Sequence, residues 1–177
     1  MKTLNLKITF FFMSIGIILS AQNSYQSFPS AGFKVKCGCN LRVNTLFIQM
    51  AKQQGMENIV AAYICAENEV DPQTGVIVNI NIYDETARYA KIQTEKHAYF
   101  TRKCLESYAA NLSNAGIQYS YTTFQGVTAL EYSFDQNGLP TKAVMFYKNK
   151  KSYLLQVGTR NGLTTKFNVL KTSFVIL

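Results

Sequence analysis

The sequence is poor in residue types on which common enzyme classes depend. It has no tryptophan and a single histidine, His97, among its 177 residues. One imidazole cannot supply a multi-histidine metal centre, and a histidine-assisted nucleophile would have to use His97 itself. A glycine-rich phosphate loop is also absent. We therefore expect no metal and no cofactor.

Long apolar runs are also scarce. The sequence has one, and it lies at the start of the chain. Two lysines precede an almost unbroken apolar run over 8–19, and the small residues Ser20 and Ala21 follow it. This order is typical of a secretory signal peptide, and the run is too short for a comfortable membrane span. We predict a signal peptide over 1–22.

The rest of the chain has the size of one domain. Residues 23–31 are predicted to be a flexible lead-in, and residues 32–177 a single domain with its own core. No further apolar run is long enough to span a bilayer, and no cysteine ends the first run as a lipid anchor requires. We expect a soluble periplasmic or secreted protein with no membrane span after signal removal.

Acidic side chains are missing from the last part of the chain. The formal net charge is +8, and no residue after Asp135 is acidic. A basic face attracts an envelope or secreted protein that is acidic, or an anionic surface component, although charge runs often only face water. Nucleic acid is not expected, because no binding motif for it is present. The candidate basic binding face consists of Lys142, Lys148, Lys150, Lys151, Arg160, Lys166 and Lys171.

The cysteines are even in number, which suggests disulfides in an exported chain. The candidates are Cys37, Cys39, Cys65 and Cys104. If Cys37-Gly38-Cys39 is extended, its two side chains point to opposite faces, so we favour bridges from this pair to Cys65 and Cys104. A redox Cys37/Cys39 pair is the functional alternative. A four-cysteine zinc site is disfavoured, since the spacing has only one close pair.

The apolar pattern predicts an α+β fold in which helices cover an antiparallel sheet. Strand character is found over 32–36, 58–65 and 76–83, a short helix is expected over 46–54, and a long central helix runs from Thr94 towards Gly116. The C-terminal third predicts a meander with a hairpin turn at Asn137-Gly138, followed by a last helix. Its strands are expected over 117–123, 127–134, 141–147 and 152–158, and its helix over 163–172.

Three segments resemble a known fold. They are the opening Gly32-Phe33-Lys34-Val35 strand, the Phe124-Gln125-Gly126-Val127 turn with its meander, and the closing segment 170–176. Together they resemble the PsbP-like fold family, which includes the photosystem II subunit PsbP and the envelope lipoprotein DcrB. The chain departs from the family at Cys37-Gly38-Cys39, where a proline is common, and lacks the lipid-anchor cysteine of DcrB. The resemblance implies a binding, accessory or assembly role and transfers no catalytic residues.

Isolated polar residues give no catalytic motif. His97 falls in the first turn of the predicted helix and is expected to face water. The acids Glu67, Glu69 and Asp71, with Asp84-Glu85 further on, lack EF-hand spacing and are expected to be solvated. A carboxylate pair for sugar hydrolysis stays open, because its separation is spatial.

Tyrosines are numerous on the predicted sheet. Aromatic side chains on a sheet mostly pack across strands, and the alternative is that they stack a ligand or an interface. The tyrosines concerned are Tyr119, Tyr121, Tyr132, Tyr147 and Tyr153.

These features predict an exported, non-catalytic binding or accessory domain of the bacterial cell envelope. One alternative is an envelope enzyme, either a carboxylate-based hydrolase or a thiol oxidoreductase using Cys37 and Cys39. A second is an immunity-type protein that blocks a secreted toxin. A third is an oligomeric surface protein that pairs through an exposed edge of the meander.

Overall fold

The computed structural model describes residues 24–67 and 74–177. The predicted signal peptide over 1–22, and the acids Glu69 and Asp71, lie outside the described residues. The strands are β1 (Gln26–Phe28), β2 (Phe33–Val35), β3 (Arg42–Val43), β4 (Ile59–Glu67), β5 (Val76–Asp84), β6 (Tyr119–Phe124), β7 (Val127–Gln136), β8 (Leu139–Lys148), β9 (Lys151–Thr159) and β10 (Val175–Ile176). The helices are α1 (Thr45–Gln53), α2 (Thr86–Tyr89), α3 (His97–Asn114) and α4 (Leu163–Ser173), with a 3₁₀ turn (Thr94–Lys96) before α3.

A seven-stranded antiparallel sheet forms the centre of the fold, in the order β3-β4-β5-β9-β8-β7-β6. The meander β6 to β9 joins the first half of the chain through β9, which pairs with β5 along its whole length from Val76↔Thr159 to Asp84↔Lys151. The predicted α+β class, with its C-terminal meander and its two main helices, is confirmed.

Two-residue turns fix the register of the meander. Both central residues have positive φ at Gln125-Gly126, Asn137-Gly138 and Asn149-Lys150, which is the backbone of a type I′ hairpin turn. The predicted hairpin at Asn137-Gly138 is confirmed. The Asn149-Lys150 turn departs from the preferred Asn-Gly sequence. Lys150 has a φ of 58°, in the left-handed region where glycine is favoured.

Side chains alternate along β8 between two cores, one on each face of the sheet. Val144 and Phe146 belong to the first core, which α4 and β2 cover. Ala143 and Met145 belong to the second, which Leu105 of α3 covers. A smaller cluster joins α1 to β4. None of the helices in the part of the chain that the structure describes combines the length and apolar character that crossing a membrane requires.

A small sheet in the order β1-β2-β10 packs over the first core. Part of the predicted lead-in over 23–31 is thus the strand β1. The reason is aromatic packing, since the Phe28 ring centroid lies 4.9 Å from that of Phe33 and 4.5 Å from that of Tyr63. The lead-in is therefore tied to the domain rather than flexible throughout.

Candidate functional site

A groove of about 1010 Å³ lies between the first half of α3 and the turns that follow β6 and β8. The buried side chains of Leu105 and Tyr147 contribute its floor, together with half-buried Val127. Exposed Tyr121 and Arg102 contribute to its wall. A mainly apolar concave surface with a few polar groups is the usual form of a binding site.

The rim of the groove is cationic. Lys148 and Lys150 line it, and among the described residues no carboxylate lies within 4.0 Å of either ammonium group. Lys148 Nζ instead donates to the Gln125 carbonyl oxygen at 2.6 Å. Glu106, the acid on this lining, is shared by Lys103 at 2.6 Å and Arg102 at 3.6 Å. The rim therefore presents uncompensated positive charge.

The backbone of Lys150 has a left-handed conformation, which is unfavourable for a residue that carries a side chain. A non-glycine residue in the left-handed region costs about 1–2 kcal/mol, and Lys150 lies there at φ 58. Its carbonyl oxygen accepts a hydrogen bond from the Glu85 backbone N–H at 2.9 Å, which fixes the turn against the segment after β5. A lysine at a position suited to glycine, on the rim of a groove, motivates a functional role for its side chain.

His97 is half-buried rather than directed to water as predicted. Its Nε2 lies 3.2 Å from the carbonyl oxygen of Tyr89 and 3.1 Å from that of Ile92. The ring also contacts the Tyr89 ring edge-on at 5.1 Å. These contacts tie the start of α3 to the preceding loop, so the imidazole supports the groove wall instead of facing a nucleophile.

Glu85 corrects the expectation that the acids at the end of β5 are solvated. It is 4% exposed, and its carboxylate accepts hydrogen bonds from Ser152 Oγ and Arg88 Nη1, each at 2.9 Å. Arg88 Nη2 continues the network by donating to Cys104 Sγ at 3.4 Å. Asp84 is half-buried, and hydrogen bonds from Thr86 hold its pKa below the ordinary value. The network positions the elements beside Tyr147 on the groove floor.

The sheet tyrosines divide into packed and exposed sets. Tyr132, Tyr147 and Tyr153 are buried, as the packing interpretation expects. Burial and the neighbouring Tyr108 raise the pKa of Tyr132, whose hydroxyl lies 2.6 Å from that of Tyr108. Tyr119 and Tyr121 are 37% and 52% exposed on β6, the edge strand of the sheet. Tyr121 lines the groove, whereas Tyr119 lines a separate depression at the start of β6.

The predicted basic residues do not share one face. Lys148, Lys150 and Lys151 lie at the β8–β9 turn beside the groove. Arg160 lies at the other end of the sheet, where its Nη2 donates to the Gly138 carbonyl oxygen at 2.6 Å, and Lys166 Nζ lies 3.4 Å from Thr159 Oγ1. Of the predicted cations, Lys148 and Lys150 line the groove.

The remaining two cations share one carboxylate on the α4 side of the sheet. Lys142 and Lys171 contact the same carboxylate, Glu131, at 2.8 and 2.5 Å. Burial alone would raise the pKa of Glu131, but the hydrogen bonds and charges of the two lysines outweigh it and hold the pKa below its ordinary value. The ion pairs that Lys142 and Lys171 form with Glu131 therefore stabilise the fold.

Replacing Glu131 with glutamine is expected to lower the free energy of unfolding by about 2 kcal/mol at neutral pH, because charge-assisted hydrogen bonds are lost. Since folding lowers the pKa of this carboxyl, its contribution is present above the unfolded value of about 4.3 and is lost as the pH falls through the folded value. Urea unfolding of both proteins from pH 7 to pH 2 should therefore show the difference shrinking in acid. A constant difference would contradict this, and Glu106→Gln, at an exposed pair, serves as the control.

The cysteines form one bridge, not the two predicted. Cys39 is bonded to Cys65, while Cys37 and Cys104 are buried free thiols. A bend at Gly38 and Cys39 replaces the extended backbone assumed in the prediction. Cys104 cannot reach the others because it lies in the core on the opposite face of the sheet.

A second, more open depression lies at the start of β6. Its cation is Lys142, which is already paired with Glu131. The groove beside α3 is therefore the better candidate, because its lysines are not neutralised.

Comparison with known proteins found similarity among solved structures only at a low level of sequence identity. No family model matches the chain, and no curated protein matches it. Among solved structures, the chain is similar to LpqN, involved in cell envelope biogenesis of Mycobacterium tuberculosis, with 16% identity, a TM-score of 0.41 and coverage of 81% of this chain and 82% of that chain. The resemblance to the PsbP-like family stays a prediction.

Proposed function

We propose that this chain is an exported, non-catalytic binding domain of the bacterial cell envelope. Its ligand is an acidic, extended segment of an envelope or secreted protein that lies in the groove beside α3. The observation that carries the proposal is the apolar groove with the unneutralised lysines Lys148 and Lys150 on its rim.

The edge strand β6 favours a peptide over a compact ligand. β6 pairs with β7 and ends the sheet among the described residues, so its outer backbone groups are free to pair with an added strand. Tyr121 projects from β6 on the groove side and is exposed. A strand added here would place alternate side chains against the groove and the others towards solvent.

The side chains around the groove support a binding role rather than catalysis. Glu106 is the acid among the described groove residues, whereas sugar hydrolysis needs two carboxyl groups on either side of the scissile bond. His97 Nε2 lies against two backbone carbonyl oxygens. The predicted signal peptide and the Cys39–Cys65 bridge support an extracytoplasmic location.

The variant Lys150→Gly distinguishes a binding role of Lys150 from a structural one, because it should change affinity and stability in opposite directions. Removing the side chain relieves the left-handed conformation and is expected to raise the free energy of unfolding by about 1 kcal/mol. Because one ion pair contributes about 0.2–1 kcal/mol, affinity for an acidic peptide should fall up to about fivefold. A residue with only a structural role would not show these opposite changes.

Fluorescence anisotropy with a labelled peptide of alternating Glu and Leu measures this affinity. Peptides of alternating Gln and Leu, and of alternating Lys and Leu, control for charge, and Lys166→Ala controls for a cation outside the groove. We expect binding of the Glu peptide alone, weakened by Lys150→Gly and unchanged by Lys166→Ala. Equal binding by both variants, binding only to phosphatidylglycerol vesicles, or self-association through β6 would reject the proposal.

A further inference from the structure

We propose that Cys37, Cys39 and Cys65 form a thiol–disulfide exchange site in which Cys37 displaces Cys39 from Cys65. The three Sγ atoms lie within 4.8 Å of one another, and all three residues are buried. Cys39 and Cys65 share the disulfide, and Cys37 keeps its thiol. A thiol held this close to a disulfide is placed to attack it, and the site lies on the other face of the sheet from the groove.

The exchange step is balanced within the protein. The Cys37 thiolate attacks Cys65 Sγ, and the new sulfur–sulfur bond forms as the bond to Cys39 breaks. The electron pair of the broken bond stays on Cys39 Sγ, which takes up the proton that Cys37 released. One disulfide and one thiol are present before and after the step, so neither an oxidant nor a reductant is required.

Chain geometry selects Cys65 as the sulfur that is attacked. A bond between Cys37 and Cys39 would close a ring across one intervening residue, which strains the bridge. A bond between Cys37 and Cys65 spans 28 positions, against 26 for the present bridge. Because loop-closure entropy changes slowly with length, the two bridges have nearly equal chain entropy. Local packing alone then decides which bridge is populated.

The short strand β1 covers the site. Gln26 Nε2 lies 3.3 Å from Cys37 Sγ and donates to the Cys39 carbonyl oxygen at 2.8 Å. Gln26 Oε1 accepts from the Leu41 backbone N–H at 2.8 Å. The thiol donates to the same Cys39 carbonyl oxygen at 3.0 Å. One side chain therefore holds β1, the thiol and the leaving cysteine in place.

Release of β1 would favour the reactive form of the thiol. Burial raises the pKa of Cys37 and outweighs the hydrogen bond from Gln26, which lowers it. The thiolate is the attacking species, so exposure of the site increases the attacking fraction. β1 consists of three residues paired with β2, and such short edge elements open more readily than the core.

Alkylation of the native protein tests the exchange. The wild type is incubated at pH 8.5, pulsed with iodoacetamide, unfolded, digested without reduction and sequenced by tandem mass spectrometry. We expect two populations: a Cys39–Cys65 bridge with alkylated Cys37, and a Cys37–Cys65 bridge with alkylated Cys39. Label on Cys37 alone at every incubation time would overturn the proposal.

Single-cysteine variants give a second, independent readout. Cys39→Ser should form the Cys37–Cys65 bridge and leave Cys104 as its one titratable thiol after unfolding. Cys37→Ser should keep the Cys39–Cys65 bridge, and Cys104→Ser should exchange like the wild type. Three free thiols in folded Cys39→Ser would show that Cys37 does not reach Cys65. Gln26→Ala should raise the alkylation rate of the site about fivefold, since a hydrogen bond of about 1 kcal/mol is lost.

Discussion

Phe174→Ala is expected to lower the free energy of unfolding by about 4 kcal/mol, the range for emptying a buried aromatic site. The ring is 0% exposed and contacts both sheets, with centroid distances of 5.3 Å to Phe33 in the small sheet and 6.0 Å to Tyr153 in the large one. Phe174 follows α4 directly, so its loss leaves a cavity where three elements meet. Urea unfolding at 25 °C measures the effect.

Graded variants identify packing as the cause. Phe174→Leu refills much of the space and should cost about 1.5 kcal/mol or less. Val169→Ala, at a residue on α4 that is 47% exposed, should stay within about 0.5 kcal/mol of the wild type. A loss below about 1 kcal/mol for Phe174→Ala would show that the three elements rearrange to fill the site.

Cys65→Ala is expected to lower the free energy of unfolding by about 3.5 kcal/mol, the chain-entropy value for a closed loop of this length. The present bridge spans 26 positions, and Cys65 is the sulfur common to it and to the proposed alternative bridge. For a domain of this size the loss corresponds to a fall in Tm of roughly 10 °C. Thermal melts followed by circular dichroism measure it.

Reduction provides the matched comparison for this variant. A phosphine reductant should lower the Tm of the wild type to that of Cys65→Ala and leave the variant unchanged. Cys104→Ala, which removes a free thiol on the opposite face of the sheet, should retain the reductant-dependent drop. If reduction leaves the Tm of the wild type unaltered, the bridge contributes nothing to stability.

Local patterns predict the meander well, because each hairpin carries its own signal. Alternating side chains mark the strands, and Asn137-Gly138 marks a turn that needs two residues at positive φ. The pairing of β5 with β9 has no such signal, since its residues are far apart in sequence and meet only through tertiary packing. The strand β1 also has no signal in the sequence, because it is held by the aromatic packing of Phe28 and not marked by an alternation of apolar and polar residues.

The candidate site is harder to predict because its polar groups depend on distant partners. Glu85 is buried against Ser152, which lies 67 positions away, and only the fold shows that its charge is satisfied. The predicted bridge to Cys65 is confirmed, whereas the predicted bridge to Cys104 is wrong, because only the fold shows that Cys104 lies on the opposite face of the sheet. One signal for the groove was present in the sequence: Asn149-Lys150 stands where a hairpin turn favours Asn-Gly.

The position of β2 between β1 and β10 places a condition on the order of events during synthesis. β2 receives its second neighbour only when the segment after α4 has been made, and Ser173 Oγ bonds to the Lys36 backbone 137 positions earlier. Contacts of such sequence separation form slowly. A chain still under synthesis on the ribosome therefore lacks the strand that completes this sheet. This small sheet can therefore close only after the last strand has been made.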